Sequence, residues 1–371
     1  MRSLLEKGQS VWLDYLSRRM TRSGKLAAMI DAGLRGMTSN QTIFQQAIAT
    51  GDYDHAIAEL AAPFATDREI FESLSTQDVR EAADVFRQTY DDTGGIDGFV
   101  SIEVSPELSH DTERTIAEAR RLWEEVDRPN VMIKIPGTRK RWPAIERCLR
   151  LGININVTLL FSLTHYRAVA NAHMRALEAR LSAGKPIDTI ASAASIFVSR
   201  VDTEVDRRIA AKGSELSALR GKVAIANARV IYDAFVHNTD GERWKTLESY
   251  GAKVQRPLWA STGTKNHAYS DVVYVESLIG SSTITTVPPE TLDLFRDHGK
   301  VEQTLPGDIE DAHRIMKELE KGGISFSDVN RTLENEGIAK FMKSFLSGLA
   351  DIAGKRNSLQ THGAHAHEMA S

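Results

Sequence analysis

Only one cysteine occurs in the chain, Cys148, so no intramolecular disulfide can form, which suits a reducing compartment. Cys148 lies in the amphipathic stretch AIERCLRLG and reads as a small buried hydrophobe rather than a nucleophile. No segment reaches the roughly 18 apolar residues of a membrane-spanning helix. The N-terminal MRSLLEKGQSVW lacks the apolar run and small-residue cleavage site of a signal peptide. A soluble cytoplasmic protein is expected, in which the N-x-Ser/Thr matches at Asn40, Asn156 and Asn330 carry no glycosylation meaning. Basic runs are scarce and the formal net charge is −4, so nucleic acid is not the expected partner. A small anionic substrate remains compatible, because a few convergent cations hold it. Absent too are G-x-G-x-x-G, the P-loop, G-x-S-x-G, H-E-x-x-H and paired cysteines. With them go the usual signatures of dinucleotide and triphosphate binding, serine–histidine hydrolysis and zinc. The histidines are expected at the surface, and HGAHAH (362–367) resembles a metal tract by composition alone. No functional metal is expected.

What is present is ordinary globular material, 42% hydrophobic and 26% charged over 371 residues. Short apolar, β-branched runs alternate with longer helical patterns. Strands are predicted at 11–16, 35–40, 98–104, 130–136, 153–161, 191–199, 255–262 and 281–288, separated by amphipathic stretches such as 111–126 and 165–183. Eight strands with helical crossovers predict parallel pairing and an α/β fold, a (β/α)8 barrel with additional helices. An open doubly wound sheet is the competitor, but DTGGIDG (92–98) precedes a strand instead of following one. One barrel domain is expected over 1–355, with a helical insertion at about 41–97 and C-terminal helices at about 300–355; residues 356–371 are expected to be disordered.

Strand alternation sorts the side chains into two faces. Val131, Ile133 and Ile135 share an apolar face opposite Met132 and Lys134; Ile102 opposes Ser101 and Glu103; Ile155 and Val157 oppose Asn154, Asn156 and Thr158. Asp14 falls with Trp12, away from Val11 and Leu13. In a barrel the apolar face packs on the outer helices and the other face points to the lumen. An exposed antiparallel face would explain any one of these residues, but a parallel sheet has no solvated face. An amine, two carboxylates, amides and a hydroxyl therefore converge in one interior. Desolvation and a nearby cation favour the neutral form of an amine, which attacks a carbonyl. The resulting iminium stabilises a carbanion on the next carbon, the need of aldol cleavage. Asp14 and Glu103 are the candidate proton carriers, and Thr158 and Asn156 are placed to hold the water or hydroxyls of the carbinolamine. Arg200 follows a strand end, where barrel ligands gather, and its guanidinium can chelate phosphate. The competing reading for Arg200 is an ion pair with Asp202 or Asp206.

The segments WLDYLSR, GMTSNQTIF, SIEVSPEL, MIKIPGT, INVTLLFS, SIFVSR and WASTGTKN, in this order, resemble the transaldolase family in its longer bacterial form, over about residues 10–350. The resemblance implies that Lys134 is a Schiff-base lysine, with Asp14 handling the hydroxyl proton of C–C cleavage. Glu103 and Thr158 would position water and shuttle protons. Asn40, Asn156 and Ser195 would bind substrate hydroxyls; Arg200 would grip the phosphate, with Ser261 and Lys265 of STGTKN as further substrate contacts. Phe197 stands where aldolase-active relatives tend to carry tyrosine, which favours transfer over release of free dihydroxyacetone. No cofactor is implied, the partners are small phosphorylated sugars, and the chain is a monomer or homodimer. Two departures stand out. Gln41 replaces a usual proline, an exchange that would loosen the turn, and RKRWP (139–143) is unusually basic, read first as a solvated loop and otherwise as an extra phosphate-steering patch. The nearest rival is a fructose 6-phosphate aldolase, and a silent sugar-phosphate-binding barrel is the other.

Overall fold

The computed structural model describes residues 1–61, 65–108 and 111–368. Eight strands close into one barrel: β1 (Gln9–Asp14), β2 (Gly36–Thr38), β3 (Phe99–Glu103), β4 (Val131–Pro136), β5 (Ile155–Leu160), β6 (Ser192–Phe197), β7 (Gln255–Ala260) and β8 (Thr283–Val287). Each runs parallel to both neighbours, and β1 closes the ring against β8. The chain therefore has the (β/α)8 architecture that the alternation predicts, and every predicted strand is found. β1 begins and ends two residues early, at Gln9 and Asp14. Polarity disguised its start: the Gln9 amide is fully buried and donates to the Leu278 carbonyl and the Thr283 hydroxyl. Asp14 thus becomes the last residue of its strand, at the rim.

Register decides what meets inside. Glu103 pairs with Lys134 across β3 and β4, and Lys134 pairs with Asn156 across β4 and β5. Neighbours in parallel register point to the same face, so these three side chains form one row across the lumen. Asp14 likewise pairs with Thr38. Gly36 opens β2 because the Trp12 ring lies flat against it: a Cβ there would sit 2.6 Å from the indole.

Between β2 and β3 lie the helices Gln41–Ile48, Asp54–Leu60 and Asp67–Asp92. The longest begins with a capping box, Thr66 and Glu69 satisfying each other's backbone amides. After β8 come helices Pro289–His298, Ile309–Lys321 and Phe326–Glu368. The last crosses the insertion: Thr42 and Ser344 share a 2.8 Å hydroxyl contact, Gln45 donates to Asp351 at 2.9 Å, and the Phe71 and Phe345 rings meet edge to face at 5.4 Å. It continues as helix into the tail for which composition predicts disorder, through Glu368; the side chains of HGAHAH and residues 369–371 lie outside the description. No helix among the described residues is long and apolar enough to cross a membrane.

At the N-terminal end of the strands a buried polar network plugs the barrel. Arg256 donates to Asp97 at 2.9 Å, to the Ser10 hydroxyl at 2.7 Å and to the Thr283 carbonyl at 2.7 Å. Ser10 in turn donates to Asp97 at 2.8 Å. A cavity of about 500 Å³ opens below this plug, lined by Trp12, Asp97, Lys253 and Arg256 among others.

Candidate active site

At the opposite end, where the strands finish, a cavity of about 210 Å³ is lined by Asp14, Thr38, Asn40, Lys134, Thr158, Ser195, Phe197, Arg200, Ser261 and Lys265, with Lys340 and Phe341 facing them. Nine of the eleven residues singled out in the sequence line this space. Glu103 and Asn156 do not; they stand behind it.

The inner row explains why. Lys134 is 5% exposed, and its ammonium donates to the Ser39 carbonyl at 2.6 Å without an ion pair among the described residues. Ser39 is held by a bond from its hydroxyl to the Ser101 carbonyl at 2.6 Å. Glu103 reaches the cavity through Thr158, whose hydroxyl donates to its Oε1 at 3.2 Å. Burial pushes the Glu103 carboxyl above its ordinary value, opposed by attraction to Lys134, the Thr158 bond and Arg141. Asn156 is fully buried; it accepts the Ser195 hydroxyl at 2.6 Å and donates to Ser101 at 3.2 Å. It therefore orients Ser195, which does line the cavity.

The outer ring is built from strand ends and first helical turns. Asp14 accepts the Thr38 hydroxyl at 2.8 Å, and Thr38 meets the Thr286 hydroxyl at 2.7 Å. Asn40 caps helix Gln41–Ile48, accepting from the backbone N–H of Thr42 at 2.9 Å and Ile43 at 3.1 Å. The cap removes the expected loosening at Gln41: that residue is the first of the helix, where an amide has no intrahelical partner whether or not proline supplies it. Phe197 packs on Phe161 with ring centroids 5.7 Å apart, and the Arg200 guanidinium lies 4.9 Å above the Phe197 ring. Ser261 stands at the end of β7 with φ of +56°, a strained setting for a residue with a side chain. Leu159 shares that φ of +56° where the β5–β6 register shifts.

The Asp202 and Asp206 alternative for Arg200 fails on geometry. Asp202 accepts from the Ala224 amide at 2.8 Å and Tyr274 at 2.9 Å; Asp206 accepts from the Gly221 amide at 3.1 Å and Tyr269 at 2.6 Å. Both carboxylates are committed behind the site, and Arg200 turns to the cavity. Burial holds its guanidinium below the ordinary value, against attraction from Asp14, Glu103 and Glu336.

Full-length comparison decides the family. A model of the family described as Transaldolase/Fructose-6-phosphate aldolase matches residues 11–352. The transaldolase of Thermobifida fusca is 48% identical over 357 residues, spanning 95% of this chain and 97% of that protein. Transaldolase 2 of Streptomyces coelicolor is 48% identical over 345 residues, 92% of this chain and 93% of the other. The chain belongs to the transaldolase/fructose-6-phosphate aldolase family.

Within that family assignment, three features escaped sequence reading. Arg141, part of the RKRWP stretch expected to be a solvated loop, is 1% exposed and sits near Glu103; burial, against the pull of Glu103, lowers its guanidinium to about 10. Arg139 and Lys140 beside it are exposed, so the basic run is split between surface and core. Lys340 and Phe341 come from the C-terminal helix, some 50 residues beyond β8, where no strand pattern could have flagged them. His173 contradicts the expectation that the histidines lie at the surface: it is 2% exposed, stacked on Trp244 at 6.1 Å, and burial lowers it to about 4. It does not line the cavity. Cys148 behaves as read: it is fully buried, which raises its thiol to about 12.

Proposed function

We propose that this chain is a transaldolase of the cytoplasm that moves a dihydroxyacetone unit from sedoheptulose 7-phosphate to glyceraldehyde 3-phosphate. The products are erythrose 4-phosphate and fructose 6-phosphate, a step of the non-oxidative pentose phosphate pathway. The observation that carries the reading is a buried amine, with no ion pair among the described residues, at the base of a cavity rimmed by carboxylate and cations.

The Lys134 amine adds to the ketose carbonyl to give a carbinolamine, and loss of water leaves the protonated imine. Glu103, bonded to Thr158, takes and returns the protons of these two steps, and burial raises its affinity for the proton it carries. Asp14 then removes the proton of the hydroxyl on the departing carbon of the breaking bond, and that carbon becomes the aldehyde. The C–C bond electrons flow into the imine as an enamine, and the shortened aldose phosphate leaves. The acceptor aldehyde enters, the enamine carbon attacks it, Asp14 returns the proton, and water releases the new ketose. Ser195, oriented by Asn156, and Asn40 hold hydroxyls, while Arg200, Ser261 and Lys265 hold the phosphate end. Phe197, with no hydroxyl to activate water, keeps the enamine waiting for an aldehyde. The lysine itself supplies the electron sink, so no cofactor enters the scheme.

Borohydride reduction in the presence of fructose 6-phosphate, followed by peptide mass mapping, tests the scheme. A dihydroxyacetone-derived adduct on Lys134 is expected, and an unmodified Lys134 sinks it. Turnover with and without glyceraldehyde 3-phosphate separates transfer from aldolase activity: transfer requires the acceptor, whereas equal rates would make the chain an aldolase.

A further inference from the structure

Three cations reach the mouth of the cavity from three unrelated parts of the fold. Arg200 comes from the first turn after β6, Lys265 from the loop after β7, and Lys340 from the C-terminal helix. None of them forms an ion pair among the described residues, whereas the buried Arg18 and Arg256 both do. We infer that Lys340 is a substrate ligand, the third arm of a cationic clamp for the phosphate end of the sugar, so that the C-terminal helix completes the site. The inference rests on the sugar-phosphate reading above and adds to it a residue that lies outside the barrel.

Lys340 is an exposed residue, but the packing of its helix fixes the rim it stands on. Gly337, one turn before Lys340, is buried against the barrel rim: a Cβ there would fall 2.8 Å from Leu159 Cδ2 and 3.4 Å from Arg200 Nη1. Residues three apart share a helix face, so the contact at Gly337 aims Lys340 at the same rim. Leu159 reaches that contact from the strained bend of β5. Phe341, next in sequence, is 4% exposed and lines the cavity wall, which fixes the rotation of the helix. Partial burial, then repulsion from Arg200 and Lys265, holds the Lys340 ammonium below its ordinary value. Asp14 is the acidic group that pulls the other way. Three like charges gathered without an anion repel one another, and a phosphate dianion between them removes that repulsion.

The test uses the full-length enzyme and two variants, Lys340→Gln and Lys340→Arg. Three quantities are read: kcat and KM for fructose 6-phosphate with acceptor, competitive inhibition by inorganic phosphate, and the rate of borohydride-trapped adduct on Lys134 from unphosphorylated fructose. For Lys340→Gln the KM for fructose 6-phosphate rises roughly ten- to a hundredfold, the cost of one lost charge-assisted contact. Phosphate inhibition weakens in the same proportion. Fructose trapping, which has no phosphate to lose, falls far less, and Lys340→Arg recovers most of the KM. An equal loss with fructose and fructose 6-phosphate assigns Lys340 a structural role and overturns the inference, as does an unchanged phosphate inhibition constant. Absence of any Lys134 adduct in the unaltered enzyme is a different failure, of the Schiff-base reading itself.

Discussion

Both ends of this barrel hold charged groups, and they use them in opposite ways. At the N-terminal end, Arg256, Asp97 and Ser10 bond to one another in a buried network. At the C-terminal end, Lys134, Arg200, Lys265 and Lys340 face a cavity with no ion-pair partner among the described residues. Cavity size points the wrong way, since the space below the plug is about 500 Å³ and the one at the mouth about 210 Å³. Charge that has already found its partner stabilises the fold; charge left waiting is available to a substrate. The difference between ends is therefore better read from hydrogen-bond accounting than from volume.

That contrast can be broken experimentally. The largest effect is expected at the mouth: Lys134→Arg should lower turnover by roughly 10⁴-fold or more, because a guanidinium forms no imine. Its circular dichroism and melting curve should match the parent. Substantial residual activity would end the Schiff-base assignment. At the other end, Arg256→Ala leaves Asp97 buried without its cation, with an expected loss of about 3–5 kcal/mol in denaturant unfolding. Activity per folded molecule should be unchanged, and a fall in kcat/KM at full folding would show that the plug is coupled to the chemistry.

Glu103→Gln sharpens the comparison, because here stability and activity should move apart. The folded carboxyl holds its proton above the ordinary 4.5, so the stability linked to it is complete below that pH and is lost as pH rises through the raised value. The glutamine has no such loss: its unfolding free energy should flatten with pH above 4.5 and exceed the parent's at neutral pH. Turnover should drop about 10²-fold, with the acid limb of the pH–rate profile removed. A variant less stable than the parent at pH 7 would show that the ionised form is well compensated by Lys134 and Arg141. The smallest effect is expected at Asn40→Ala, where loss of the helix cap costs about 1 kcal/mol. A KM increase beyond what that destabilisation explains, measured at saturating stability, would separate its substrate contact from its cap.

The barrel itself was legible because its cause is local. Apolar β-branched runs such as NVMIKIP alternate with amphipathic stretches such as DTERTIAEARRLWEEV, and that alternation admits few topologies. The inner row was legible for a related reason: period-two alternation puts Lys134, Glu103 and Thr158 opposite apolar neighbours, and a parallel sheet hides both faces. Where local cause was weak, reading failed. Gln9 and Ser10 opened β1 unnoticed because their polarity is satisfied by partners more than 80 residues away. Arg141 looked like part of a solvated run, since nothing adjacent to it reveals that Glu103 stands beside it in space. The C-terminal segment read as polar and helix-rich, with no indication of what it covers.

The sequence by itself determined the strand order, the side of each strand that faces the lumen and the placing of a lysine among acids, because periodicity and β-propensity act over a few residues. Tertiary structure alone decided which of the charges would meet. Register set Glu103 against Lys134, committed Asp202 and Asp206 to tyrosines so that Arg200 was left to the cavity, and brought Lys340 across the rim. Those outcomes depend on contacts between segments far apart in the chain, and charge reaches only as far as folding brings it.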